Sequence, residues 1–214
     1  MERKTVRVIL VRHGETAWNR DRIFRGREDI PLNERGLAQA QTLAAAVARI
    51  PVHAVYSSPL SRAAETARPV ADRHGLAVIP EPDLVDLDYG AWQGRRAEDV
   101  EREWPAEMRI WRSAPHDCRI PGGETLGQVR DRADRLLRRL GAAHSGRTVV
   151  LVSHRIVAKI ILCHVLGLPE DRCGGILQSN ACLNVFDMGD SRAVVRLMND
   201  TCHLGEAVPL EDDF

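Results

Sequence analysis

Along this chain of 214 residues the spacing of apolar positions switches repeatedly between strand-like and helix-like periods. Residues 6–11 are apolar and largely β-branched apart from Arg7, the pattern of a strand covered on both faces. The run stops abruptly at Arg12-His13-Gly14. Asn33 then opens a helix with Leu37, Ala40, Leu43, Ala44 and Val47 at helical spacing, and Pro51 lies just beyond its end. Residues 54–56 form a second short strand candidate. Ser58 followed by Pro59 reads as an N-cap and first helical residue, predicting a helix that carries Arg62 in its first turn and ends at His74-Gly75.

Residues 76–95 hold a short strand and a glycine-rich loop, and residues 96–112 read as helical but broken at Pro105. Thr125 with Gln128 three residues on is a capping box for a helix reaching Ala143. Residues 148–152 are the clearest buried strand, ending at Ser153-His154. A helix over 156–166 follows, capped by Gly167 and stopped by Pro169. Two late strands, 182–188 and 193–198, flank Gly189-Asp190-Ser191 as a hairpin. Strands alternating with helices predict an α/β fold, a three-layer sandwich with a mostly parallel sheet and helices on both faces. With no repeat, linker or low-complexity segment, the expectation is one domain over 1–214, with residues 81–124 inserted over one end of the sheet.

Composition narrows the function classes. Acidic and basic residues number 30 each, which argues against a general nucleic-acid or membrane-surface binder. No apolar run is long enough for a membrane span. The start, Met1-Glu2-Arg3-Lys4, leads directly into the first strand without a signal-like apolar segment, so a cytoplasmic location is expected. The five cysteines, Cys118, Cys163, Cys173, Cys182 and Cys202, show neither disulfide nor zinc-site spacing and read as isolated thiols. The arginines at 130, 132, 135, 138 and 139 interleave with leucines and read as the solvated face of an amphipathic helix. No role is assigned to His53, His74, His116, His144 or His164.

The chemistry collects at strand ends, where open parallel sheets bind their ligands. Arg12-His13-Gly14 ends the first strand, Ser57-Ser58-Pro59 and then Arg62 follow the second, and Ser153-His154 ends a third. If these strands are parallel neighbours, two arginines and two histidines meet at one edge, with helix N-termini behind them. Such an arrangement suits a phosphate, whose oxygens an arginine fork holds in pairs.

The motif Leu10-Val11-Arg12-His13-Gly14-Glu15-Thr16, with Trp18-Asn19 behind it, resembles the signature of the histidine phosphatase superfamily, also called phosphoglycerate mutase-like. Gly26 with Asp29, Pro31-Leu32, Glu34-Arg35-Gly36, Ser57-Ser58-Pro59-Leu60, Arg62, Gly90 with Trp92 and Gly94, Gly122-Gly123-Glu124 and Val152-Ser153-His154 fall in the family's order. The resemblance implies that His13 becomes phosphorylated, and that Arg12, Arg62 and His154 hold the phosphoryl oxygens. Asn19, Thr16, Arg25 and Gly26 would line the pocket, and a carboxyl group would protonate the leaving oxygen. It implies no cofactor and no metal. The implied partner is a small phosphorylated metabolite or inorganic phosphate.

The chain departs from the family pattern at three places. The acid is usually a glutamate, and Leu84-Val85-Asp86 places Asp86 there, one methylene shorter, with Asp88 as the other candidate. Arg155 follows His154 where the family often has glycine, and either adds charge to the pocket or points away. The run from Asn199 to Glu206 resembles the tail of metal-independent phosphoserine phosphatases, which puts His203 in a substrate-recognising place, yet Tyr89 stands where those enzymes have a histidine. The compact length favours a phosphatase over a phosphoglycerate-type mutase using the same histidine. The late strands could serve as a homodimer edge.

Overall fold

A computed structural model describes residues 5–21, 23–189 and 193–205. The elements in chain order are β1 (Val6–Arg12), α1 (Ala17–Arg20), α2 (Glu34–Val47), β2 (Ala54–Ser57), α3 (Ser61–Arg73), β3 (Val78–Pro80), α4 (Ala97–Glu103), α5 (Pro105–Ser113), α6 (Leu126–Ala143), β4 (Thr148–Ser153), α7 (Arg155–Leu166), β5 (Leu183–Met188) and β6 (Ala193–Asp200). They form one six-stranded sheet in the order β3-β2-β4-β1-β5-β6. The first four strands of that order are mutually parallel, and β5 runs antiparallel to both β1 and β6.

Strand alternation sorts the core into two layers. Ile9 and Val11 of β1, Val55 of β2, and Val150 and Val152 of β4 pack against Leu43, Ala44 and Val47 of α2 and Ala63, Ala67 and Val70 of α3. Val6, Val8 and Leu10, with Val149 and Leu151, face the opposite way. They meet α6, α7 and the buried side chains Leu84, Leu87, Trp92 and Met108 of the segment between β3 and α6. Helices on both faces make the expected three-layer sandwich.

The caps explain most boundaries. Asn33 accepts the Gly36 N–H at 2.8 Å and starts α2. Thr125 and Gln128 exchange hydrogen bonds at 3.2 and 2.8 Å and start α6. Gly167, at φ 68°, ends α7 in the left-handed conformation that favours glycine. Pro105 separates α4 from α5 as expected.

Two expectations fail. Ser58 does not cap α3, which begins three residues later with Leu60 in the cap position. The Ser58 hydroxyl accepts the Leu60 N–H at 3.3 Å and its other partner is His154, so the Ser-Pro signal belongs to the site rather than to the helix. The arginines of α6 are not all solvated either. Arg132 is 6% exposed because it lies in the same helical row as the buried Val129 and Leu136. The expected hairpin at Gly189-Asp190-Ser191 lies largely outside the described residues.

Candidate active site

Parallel pairing brings the three polar strand ends level. Arg12 is in register with Ser153, and Ser57 with Val152. Beyond these pairs the His13 N–H donates to Ser153 O at 2.9 Å and the Ser58 N–H to Val152 O at 2.9 Å. The rings of His13 and His154 lie 5.2 Å apart, centroid to centroid. Arg12, His13, Arg62 and His154 are all buried, as is Asp86.

The two rings are held by different partners. His13 Nδ1 lies 2.6 Å from Gly14 O, and a carbonyl oxygen only accepts, so Nδ1 holds the proton and Nε2 the lone pair. Burial, then the charges of Arg62, Arg12 and Arg25, push the His13 pKa well below the usual imidazole value. His154 Nε2 lies 2.7 Å from Ser58 Oγ. That hydroxyl also accepts the Leu60 N–H, and the other ring nitrogen, Nδ1, lies 3.6 Å from Asp86 Oδ2. Burial and then Arg62 lower the His154 pKa strongly as well.

Arg62 Nη1 donates to Glu28 O at 2.8 Å, and Nη2 donates to Gly26 O at 2.7 Å and Asp86 Oδ2 at 3.3 Å. Gly26 sits at φ 53°, in the left-handed region that favours glycine, and a Cβ there would press on the Gln93 side chain. The buried Arg62 Nε has no partner among the described residues. Arg25 sends its charge toward His13, His154 and Tyr89. Thr16 donates through both its N–H and its hydroxyl to Asn19 Oδ1 at 2.9 Å, so these two residues form one buried unit beside the His13 loop.

The two carboxylate candidates separate. Asp86 Oδ2 faces Arg62 and His154, while Oδ1 accepts the Leu87 N–H at 2.9 Å. Asp88 turns away: it caps Gly90 N–H at 2.8 Å and pairs with Arg27 at 3.3 Å. Arg155 hydrogen-bonds Tyr89, whose pKa burial raises, so its guanidinium adds to the cations on this side of the pocket. Tyr89 in turn packs on Phe24 with ring centroids 5.0 Å apart. His203, half-buried in the Cys202–Leu204 turn, lies beside the Ala181 backbone, and burial lowers its pKa.

Some site residues escaped the sequence reading. Arg12 Nη1 donates to Gln178 O at 2.5 Å. Gln178 and Asn184, both fully buried, pair amide to amide at 2.9 and 2.8 Å, and Asn184 Nδ2 also donates to Leu10 O. Asn180 Nδ2 and the Ala181 N–H hold His13 O at 3.1 and 3.2 Å, with Ala181 in the left-handed region at φ 54°. The available signal was Asn184, a polar residue inside a mostly apolar strand. Among the described residues no group of three or more His, Cys, Asp or Glu side chains could hold a metal ion. None of the described helices is long and apolar enough to cross a membrane.

A buried pocket of two neutral histidines and several arginines, at the carboxyl edge of a parallel α/β sheet, defines a phosphate-handling enzyme. The chain belongs to the histidine phosphatase superfamily (branch 1), whose family model matches residues 8–201, and it is a phosphatase of that family. It is 37% identical over 201 residues to phosphoserine phosphatase 1 of Hydrogenobacter thermophilus, covering 94% of this chain and 95% of that protein. It is 34% identical over 212 residues to phosphoglycerate mutase-like protein 4 of Arabidopsis thaliana, covering 97% and 90%. Among solved structures, Bacillus stearothermophilus YhfR superposes with a TM-score of 0.89 at 26% identity, covering 93% of this chain and 99% of that one.

Proposed function

We propose that this chain hydrolyses a small phosphorylated metabolite through a phosphohistidine on His13, with Asp86 as general acid and base and without a metal or cofactor. The observation that carries the reading is the His13 ring itself: its Nδ1 proton is held on Gly14 O, its lone pair is therefore on Nε2, and arginines surround it. Nε2 attacks phosphorus and the P–N bond forms as the bond to the leaving oxygen breaks. Asp86 gives that oxygen its proton. The Asp86 carboxylate then takes a proton from water, the oxygen of that water attacks phosphorus, and inorganic phosphate leaves with the imidazole restored. Arg12, Arg62 and His154 hold the phosphoryl oxygens and offset their charge. Thr16, Asn19, Arg25 and Gly26 shape the pocket around them.

Phosphoserine is a candidate substrate, supported by the likeness to a phosphoserine phosphatase and by His203 in the tail turn. A panel of phosphorylated metabolites, phosphoserine and the phosphoglycerates included, assayed with a chelator present, tests the reading. Phosphate release that disappears in His13→Ala and falls by roughly 10²–10⁴ in Asp86→Asn is the expected result. Interconversion of phosphoglycerates much faster than phosphate release would make the chain a mutase with the same histidine. Unimpaired turnover by His13→Ala would remove that residue from the mechanism.

A further inference from the structure

Asp86 is one methylene shorter than glutamate, a deficit of about 1.5 Å in reach, so its backbone must carry the carboxylate to the leaving oxygen. We propose that Arg132 of α6 is the positioning residue that fixes this backbone, an inference that rests on the reading of Asp86 as the acid. Asp86 follows a tight turn, Pro82–Leu84. Arg132 Nη1 donates to Asp83 O at 2.6 Å and Nη2 to Asp86 O at 3.3 Å, so one guanidinium holds the loop on both sides of Leu84. The Ser153 hydroxyl, from the end of β4, holds Leu84 O between them at 2.7 Å.

The same guanidinium is held from behind. Its Nε and Nη2 donate to the two carboxylate oxygens of Glu124 at 2.9 and 3.1 Å, with both side chains nearly buried. Glu124 extends the grip past Asp86: its N–H donates to Asp88 O at 2.8 Å and its Oε2 accepts the Asp88 N–H at 3.4 Å. The loop is thus pinned at 83, 86 and 88 by one interior ion pair. Arg135 and Arg139 also pair with Asp83, but they are more than half exposed, where such pairs contribute little. A lysine could not replace Arg132, because a point charge cannot bridge two carbonyls and a carboxylate in fixed planar geometry.

Arg132 touches neither substrate nor reacting atoms, so its loss acts through Asp86 and carries a signature that a merely structural role lacks. An alkyl phosphate needs its leaving oxygen protonated, whereas p-nitrophenyl phosphate expels a stable phenolate without help. The experiment measures kcat/KM, which reports formation of the phosphohistidine and not its hydrolysis common to both substrates, for both esters in Arg132→Lys and Glu124→Gln, with Asp86→Asn as reference. The alkyl phosphate is the one that the intact enzyme turns over fastest. Arg132→Lys is expected to lose about tenfold or more on the alkyl ester, within the range acid catalysis supplies. The loss on p-nitrophenyl phosphate should stay within about threefold, and inhibition by inorganic phosphate should not change. Glu124→Gln, which keeps the side-chain shape, should show the same selectivity and covers the case in which Arg132→Lys fails to fold. Equal losses on both esters, or none, would overturn the proposal while Asp86→Asn remains selective. An Asp86→Asn variant without selectivity would instead overturn the assignment of the acid.

Discussion

Ser58 holds one edge of the His154 ring. Its hydroxyl lies 2.7 Å from Nε2 and also accepts the Leu60 N–H, so removal takes away the hydrogen bond that restrains the ring. Ser58→Ala is expected to lower kcat/KM by about tenfold, the worth of one hydrogen bond near a charged group. Nitrogen NMR of His154 should show a shifted Nε2 resonance where that hydrogen bond is lost, and an unchanged spectrum would refute the contact. The stability of α3 should hold, because Ser58 is not its cap. This residue marks a limit of sequence reading. Ser-Pro has a local meaning at helix starts, and nothing local reveals that a histidine 96 positions away competes for the hydroxyl. His13 and His154 were legible for the opposite reason: each stands directly after an apolar strand, with Arg62 in the first turn of the helix that follows another, and strand ends are where such sheets place their chemistry. Arg132 was legible in principle, since the helical period puts it in the row of Val129 and Leu136, but a run of arginines masks that position.

At the level of elements, the start of α2 and the loop after β1 touch backbone to backbone. A Cβ at Gly36 would stand 2.1 Å from Glu15 O, and one at Gly14 would stand 2.7 Å from Gly36 O. Alanine inside a helix normally adds about 0.5–1 kcal/mol over glycine. Here the contact is with main chain that cannot rotate aside, and overpacking of this kind costs about 1–3 kcal/mol. Gly36→Ala is therefore expected to lower stability in urea unfolding, and to lower kcat as well because the displaced residues carry His13. A stabilised, fully active variant would show that the loop yields freely. Element boundaries were readable wherever a cap acts alone, as at Asn33, Thr125 and Gly167. The short α1 was not anticipated, since its four residues complete little more than one helical turn.

For the molecule as a whole, burying two neutral histidines side by side links the fold to pH. The alternation of strands and helices made the sheet and its covered faces readable, but the neutrality of the two histidines depends on burial that only the packed structure supplies. His13 and His154 have folded pKa values well below 6.5, while in the unfolded chain both return to about the ordinary value. Below pH 6.5 the unfolded state therefore binds protons that the folded state refuses. Stability is fully present above this pH and declines as pH falls toward the folded values, by up to about 1.4 kcal/mol per pH unit for each ring. His144 and His203 shift in the same direction and add to the slope. Asp187 has its pKa lowered by the Arg7 side chain, but its share is lost only near and below the ordinary carboxylate value of 3.8, so it does not confuse the interval from about pH 6.5 to 5. Urea unfolding at intervals across that window is expected to show a steep acid decline in the intact protein. In a variant carrying both His13→Gln and His154→Gln the decline should be much shallower. If the two curves run parallel, the rings are charged in the folded state, and His13 could not offer the lone pair that the proposed reaction needs.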